Sequence, residues 1–212
     1  MNLKWIIIHA IFSFIVGILF AEPLLSFIKS LLPAGVKFIA TNPFDGFMLI
    51  MWCGISISVI IFLLGLIILL YKEYEDAFYV AEKVFILKSF APAVILFIIG
   101  AVFGIVLYTQ IMLPFFIDTN IYFGLENYWN LYSVITSGIA LSLMLGLTFL
   151  FPIILRGLIK LGALKKEFLK QQRAAVIIGI LVVSAIITPT PDILSQLIVG
   201  APLYVLFELS LL

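Results

Sequence analysis

Six apolar stretches, most of them long enough to cross a lipid bilayer, occupy the greater part of this 212-residue chain. A helix needs about 20 apolar residues to cross a hydrocarbon core roughly 30 Å thick. By that measure the stretches cover approximately residues 5–21, 47–71, 91–115, 131–155, 174–188 and 196–212, and the last two are short. Lipid satisfies no backbone hydrogen bond, and the stretches lack the alternation of a transmembrane strand. The sequence therefore predicts an all-α integral membrane protein with six transmembrane helices, in which residues 1–212 form a single polytopic membrane domain.

Composition excludes several other classes of protein. Hydrophobic residues make up 65% of the chain and charged residues 11%, which rules out a soluble domain. The single cysteine, Cys53, leaves no disulfide framework and is interpreted as a buried packing residue. The single histidine, His9, excludes a multi-histidine metal site and is expected to be neutral and hydrogen-bonded near the membrane boundary. A net charge of +1 does not favour nucleic acid, and we predict no metal and no cofactor.

The distribution of basic residues predicts the orientation. The connection between the fourth and fifth stretches carries one acid, Glu167, against six basic residues: Arg156, Lys160, Lys165, Lys166, Lys170 and Arg173. By the positive-inside rule this connection is cytoplasmic. Both termini and the loop at 72–90 are then also cytoplasmic, whereas 22–46, 116–130 and 188–195 face outside. Ten basic residues fall inside on this arrangement, and only Lys29 and Lys37 fall outside.

Prolines and glycines predict where the helices begin, end and meet. Pro92 suits a first helical turn, and Pro114 is expected to close the third stretch. Pro189 and Pro191 should end the fifth helix, and Asp192 and Ser195 can cap the sixth. In the first external loop, residues 27–32 suggest a short amphipathic helix at the interface. Gly100 and Gly104 form a GxxxG pattern, which serves either internal packing or a subunit interface.

An unusual cluster of acids and aromatics lies on the predicted cytoplasmic side. Within residues 72–83, here called the acidic loop, are four carboxylates and three aromatic rings: Glu73, Glu75, Asp76, Glu82, Tyr74, Phe78 and Tyr79. Taken alone, this pattern is typical of a solvated loop whose acids pair with neighbouring lysines such as Lys72, Lys83 and Lys88.

Motifs near the end of the chain point to a family. A basic stretch ending in Leu169-Lys170-Gln171-Gln172-Arg173 leads into an apolar helix. It is followed by Ile187-Thr188-Pro189-Thr190-Pro191-Asp192, Ser195-Gln196, Ala201-Pro202 and Phe207-Glu208-Leu209-Ser210. This order and spacing resemble the carboxy-terminal signature of TatC, the multispanning core subunit of the twin-arginine protein translocase.

Further similarities to that family extend over most of the chain. The runs Leu32-Pro33-Ala34-Gly35-Val36-Lys37 and Thr41-Asn42-Pro43-Phe44-Asp45-Gly46-Phe47 resemble its first external loop, with Asp45 where a glutamate is usual. The separations of Pro92, Gly104 and Pro114 are similar to those in the family. The fourth-helix motif is matched by Gly146, Phe149 and Pro152.

The resemblance implies a receptor and scaffold, not an enzyme, in the cytoplasmic membrane of a prokaryote. Its ligands would be twin-arginine signal peptides of folded proteins, and its partners small single-span subunits and further copies of itself in a larger complex driven by the proton-motive force. Signal-peptide binding is assigned to Glu82, Glu73, Glu75, Asp76, Phe78 and Tyr79. Structural or partner contacts are assigned to Pro33, Pro43, Asp45, Gly104, Pro152, Pro189, Pro191, Asp192, Gln196 and Glu208.

Three features depart from the family pattern. The family usually starts with a His-Leu-x-Glu-Leu-Arg-like segment, whereas this sequence begins near the end of that motif with Asn2-Leu3-Lys4, so its acidic contact is expected to be missing. Leu150 stands where a polar residue usually precedes the fourth-helix proline. Counting back from Pro92 places the family's recognition glutamate near Ile86, one helical turn from Glu82.

Two other readings remain open from sequence. A small-solute or ion secondary transporter usually carries intramembrane charges or broken helices at the midplane, and here the stretches are nearly free of both. An intramembrane enzyme would need paired aspartates, a Ser/His pair or a histidine-rich motif within its helices, and none is present.

Overall fold

The computed structural model describes residues 3–74, 79–160, 162–188 and 193–211. Internal contacts divide it into two compact units. The first comprises Met1–Lys83 and Thr109–Ile139, and the second comprises Val84–Tyr108 and Ala140–Leu212. Each unit is built almost entirely from helices, as the apolar stretches predict.

The first unit begins with a bent pair of helices. Helix α1 (Leu3–Leu19) is followed by α2 (Ala21–Ser30) at an angle of 44°. A short helix is thus present where one was expected, but it begins at Ala21 and ends at Ser30, so it includes only residues 27–30 of the expected 27–32. It packs through Ala21, Leu25 and Ile28 and exposes Phe27.

A strand and a long helix follow. Strand β1 (Lys37–Ile39) precedes α3 (Asp45–Glu73), which crosses α1 at small residues. A Cβ atom on Gly17 would overlap the Gly54 carbonyl and the Ser58 hydroxyl. Cys53 is fully buried beside this crossing, which confirms its packing role.

The ring of His9, on α1, packs against α3. Its ring stacks on Phe62 at 5.7 Å between centroids and fills the notch left by Gly65. The Nε2 atom is buried with no hydrogen-bond partner in the described part of the chain. Packing against Phe62 and Gly65 therefore positions this ring, and a hydrogen bond through its other nitrogen stays a prediction.

Helix α4 (Val80–Leu107) corrects the predicted loop at 72–90 and the role of Pro92. The helix begins twelve residues before that proline, so Pro92 lies inside it and the connection after α3 is only a few residues long. Proline is tolerated within membrane helices because neighbouring groups satisfy the freed carbonyl.

Pro114 likewise does not end its helix. A π-helical turn at Tyr108–Met112 leads directly into α5 (Leu113–Tyr122), with Pro114 in its first turn. The wider π turn comes just before the residue that lacks a backbone N–H, which lets the chain continue as one helical run, Lys83–Tyr122.

Strand β2 (Tyr128–Asn130) pairs in parallel with β1 and leads into α6 (Leu131–Phe149). The pairing sets Lys37 opposite Tyr128 and Ile39 opposite Asn130. This small sheet joins the segment before α3 to the segment before α6 within the first unit.

The second unit holds the later helices. Only Leu150 separates α6 from α7 (Phe151–Lys160), and α8 (Lys166–Gln171), α9 (Arg173–Ile187) and α10 (Ile193–Ser210) follow. Leu155 of α7, Leu169 of α8 and Phe207 of α10 form a common buried core with Leu211. This core brings the basic connection up against the last helix.

The lengths of the helices agree with a multi-pass membrane protein. Among the described residues, three helices are long and apolar enough to cross a bilayer, or four if α1 and α2 form one span. Two shorter apolar helices, Arg173–Ile186 and Ser195–Ser210, correspond to the predicted short pair. Six spans with cytoplasmic termini stay a prediction.

Candidate functional site

The structure describes the acidic loop at its two edges. Glu73 is the last residue of α3 and is exposed, and Tyr79, whose side chain is 79% exposed, immediately precedes α4. Glu82 falls in the first turn of α4, although its side chain lies outside the described set, as do residues Glu75, Asp76 and Phe78 altogether. Two helix ends therefore bring Glu73 and Tyr79 to the same short connection.

Asp45 lies at the centre of a hydrogen-bonded network outside the predicted span. Its Oδ2 atom accepts from the backbone N–H of Thr41 at 2.8 Å and of Asn42 at 3.1 Å. The side-chain amide of Asn130 donates to the same oxygen at 2.9 Å and also bonds the Thr41 hydroxyl. Pro43 lies in the turn that these bonds close. The carboxylate thus fixes the entry into α3, which agrees with a structural role for both residues.

Asn130 was missed by the sequence analysis. Its Oδ1 atom accepts from the backbone N–H of Ser133 at 3.0 Å, so it caps the start of α6 while its amide holds Asp45. An asparagine directly before an apolar helical stretch is a recognised start signal and could have identified it. Its pairing with Asp45, 85 residues away, has no local signal.

The neighbouring turn contains Pro33. It precedes Gly35, whose φ of +94° suits glycine in this turn.

The carbonyl of Leu31 at the end of α2 accepts from the Gln110 side chain at 3.0 Å. A residue of the π turn thus satisfies a helix end that would otherwise need water.

Gly104 packs against a helix of the same chain. A Cβ atom there would lie 2.7 Å from the Ser142 Cα atom, and one on Gly100 would lie 2.6 Å from the Phe149 ring. The Ser142 hydroxyl donates to the Ala101 carbonyl at 2.7 Å. The GxxxG pattern therefore serves internal packing between α4 and α6.

The fourth-helix proline, Pro152, is buried at the start of α7. Leu150, where the family usually has a polar residue, occupies the break between α6 and α7 and accepts backbone bonds from Ile153 and Ile154 through its carbonyl. Backbone hydrogen bonds to Leu150 thus begin α7 directly after α6.

Glu208 has partners that the sequence did not suggest. Its Oε2 atom pairs with Arg173 Nη2 at 2.9 Å, and its Oε1 atom accepts from the Tyr204 hydroxyl at 2.8 Å. Arg156 donates to the Leu209 carbonyl at 2.7 Å. The Glu208 carboxylate thus has a positively charged partner, Arg173, and a hydrogen-bond donor, Tyr204.

Four remaining candidates lie at or near the break between α9 and α10. Gln196 is half-buried in the first turns of α10. Pro189, Pro191 and Asp192 lie outside the described residues. Within the described ranges, no group of three His, Cys, Asp or Glu side chains could hold a metal ion.

Comparison with known proteins identifies the family to which the sequence is similar. The family model of TatC, described as Sec-independent protein translocase protein, matches residues 1–202. The TatC protein of Akkermansia muciniphila is 28% identical over 173 residues, covering 82% of this chain and 50% of that protein. That of Carboxydothermus hydrogenoformans is 27% identical over 220 residues, covering 99% and 88%.

The fold agrees with the sequence comparison. A crystal structure described as the twin-arginine translocase receptor TatC in DDM superposes with a TM-score of 0.79 at 24% identity, covering 99% of this chain and 96% of that one. The match spans about half the length of the Akkermansia relative but most of the Carboxydothermus relative. Because the family model matches nearly the whole chain, this protein belongs to the TatC family of Sec-independent protein translocase proteins.

Proposed function

We propose that this chain is the core receptor and scaffold subunit of a twin-arginine translocase. The family match over residues 1–202 carries the proposal, and the named relatives support it. The chain acts by binding and positioning, not as an enzyme. A secondary transporter is not favoured, because the family model of TatC matches the sequence and the fold is that of a TatC structure.

The acidic loop is the proposed binding site for the paired arginines of a signal peptide. Glu82 would be the central contact, with Glu73, Glu75 and Asp76 adding negative charge and Phe78 and Tyr79 adding aromatic faces. A guanidinium is planar and always charged, so it pairs with two carboxylate oxygens at once and also stacks on rings. The exposure of Glu73 and Tyr79 at the edges of the loop supports an accessible site.

The remaining assignments concern the assembly. Small single-span subunits and further copies of this chain would join it in a larger complex, and the proton-motive force would drive transport. The complex would lie in the cytoplasmic membrane of a prokaryote with the acidic loop facing the cytoplasm. The excess of basic residues near the connection between α7 and α9 supports that orientation.

Site-directed photocrosslinking tests the binding site. A photoreactive residue is placed in turn at Glu73, Tyr79 and Glu82 of the membrane-embedded chain, and a signal peptide with Arg-Arg or Lys-Lys is added. The same residue at Tyr122, which is exposed on the predicted external side, is the matched control. Crosslinks at the loop that fade with Lys-Lys are expected. Equal crosslinks for both peptides, or crosslinks only at Tyr122, would contradict the proposal.

A further inference from the structure

The second unit contains an apolar groove beside α9. The groove has a volume of about 290 Å³ and is partly open. Val176, Gly179, Ile180 and Val183 form its α9 wall, and Leu203 of α10 lies among the residues opposite. We call this feature the α9 groove.

The wall of the groove has room for an occupant at Gly179. A Cβ atom on Gly179 would meet no atom within 4 Å, unlike those on Gly100 and Gly104. Gly179 therefore leaves open space beside α9, whereas Gly100 and Gly104 allow two helices to pack closely. The lining offers almost no polar surface, and the hydroxyl of Thr148 is already donated to the Met144 carbonyl.

One end of the groove meets a basic region. Arg173 lies three residues before Val176 and seven before Ile180, which places all three on one face of α9. Leu169 of α8 belongs to the same buried core against which Val176 and Ile180 pack. Helix α8 is thereby held next to this end of the groove, and it carries Lys166 and Lys170, with Lys165 immediately before it.

The charge at this end is predominantly positive. From Arg156 to Arg173 the chain has six basic residues and one acid, Glu167. Glu208 adds one carboxylate, which pairs with Arg173, whose side chain stays half exposed. We call Lys165, Lys166, Lys170 and Arg173 the basic corner.

We propose that the α9 groove and the basic corner form a binding site for an anionic phospholipid. An acyl chain lies along Val176, Gly179 and Val183, and the phosphate lies at the basic corner. Lysine and arginine recognise phosphate by charge and hydrogen bonding, and basic pockets beside membrane helices favour anionic headgroups. This site shares no residue with the acidic loop and does not depend on the proposed receptor function.

Native mass spectrometry of the purified full-length chain tests the proposal. The chain is extracted in detergent with equal amounts of phosphatidylglycerol and phosphatidylcholine, and the lipid retained per chain is counted. Gly179→Trp fills the groove. Ile178→Trp is the matched control, since its 63% exposed side chain adds the same ring one position away from the groove wall. Lys170→Gln removes one charge of the basic corner, and Lys4→Gln removes a charge that does not belong to it.

The native chain should retain phosphatidylglycerol in preference to phosphatidylcholine. Gly179→Trp should lower that retention by roughly tenfold, equivalent to about 1.4 kcal/mol, whereas Ile178→Trp should leave it unchanged. Lys170→Gln should reduce the preference for the anionic lipid, and Lys4→Gln should not. If thermal melting shows that Gly179→Trp is unfolded, Gly179→Leu takes its place.

Equal retention of both lipids by the native chain would overturn the proposal, because it would indicate an unselective lipid annulus. Equal effects of the tryptophans at positions 178 and 179 would also overturn it. Since no signal peptide is present, either result would leave the receptor proposal untouched.

Discussion

The side-chain amide of Asn130 donates to the Asp45 carboxylate at 2.9 Å and so joins the start of α6 to the start of α3. The same asparagine accepts the Ser133 N–H, and the same carboxylate accepts two backbone N–H groups of the preceding turn. Asp45 and Asn130, which are 85 residues apart in sequence, therefore link two helix starts. Asp45, Asn130 and the turn before α3 thus form one hydrogen-bonded network within the first unit.

Replacing Asn130 with alanine should destabilise the protein. The change removes the cap of α6, which is worth about 1 kcal/mol, and also removes a donor to Asp45. Reversible unfolding in detergent, followed by circular dichroism, measures the loss. Asn120→Ala is a useful comparison, because it also removes an amide bond, to Asn127, without touching a helix start.

Asp45→Ala should lower the melting temperature more than Asp118→Ala, since Asp118 is an exposed carboxylate on α5. The alanine at position 45 leaves the N–H groups of Thr41 and Asn42 without their acceptor. The double variant Asp45→Ala/Asn130→Ala should lose less than the sum of the single losses, because the two residues share a bond. Strict additivity would show that the bond contributes nothing.

Gly104→Ala should destabilise the protein by about 1 to 3 kcal/mol, because the added methyl group meets the Ser142 backbone and forces α4 and α6 apart. Gly179→Ala is the matched control, since its methyl group enters open space and alanine favours a helix by up to about 1 kcal/mol. Unfolding measurements should therefore give opposite signs for the two substitutions. A similar loss in both would argue against close packing at Gly104.

Gly65→Ala should also destabilise the protein, because its methyl group overlaps the His9 ring. The cost of overpacking is about 1 to 3 kcal/mol. Combining it with His9→Ala should remove most of the additional cost, because the smaller side chain vacates the notch. Measuring all four members of this cycle distinguishes a His9 contact from the general effect of changing a helical glycine. No rescue by His9→Ala would contradict the packing.

The Arg173–Glu208 ion pair should contribute little free energy. Its side chains are 50% and 33% exposed, and partly exposed pairs are worth about 0 to 1 kcal/mol. A double-mutant cycle with Arg173→Met and Glu208→Gln should give a coupling in that range that falls as salt is added, because salt screens exposed charges. A coupling of several kcal/mol that salt does not change would show that the pair is desolvated in the membrane.

The length of the apolar stretches predicted the helices well, because in lipid a helix satisfies its own backbone hydrogen bonds. Each of the six stretches falls on helix, and the short pair is found at Arg173–Ile187 and Ile193–Ser210. The errors came from proline, which in water marks a helix end. Within the membrane Pro92 lies inside α4, and the π turn before Pro114 lets α5 continue the same run.

The candidate site was less accessible to sequence reasoning. A pattern of residue types could locate Asp45, but not its bond to Asn130, and could flag Glu208, but not its pair with Arg173. Such partners are 35 to 85 residues apart and are brought together only by packing. The signal-peptide assignment rests on the family resemblance, and binding at the acidic loop is a proposal.

The most direct test of the receptor proposal is the affinity of the purified chain, in lipid nanodiscs, for a fluorescent signal peptide. The Arg-Arg peptide should bind at least roughly tenfold more tightly than the Lys-Lys peptide, a difference of about 1.4 kcal/mol, and Glu82→Gln should remove much of that preference. Anisotropy titrations measure both peptides under the same conditions. Equal affinities for the two peptides, with the protein folded and inserted, would contradict recognition of paired arginines by this chain.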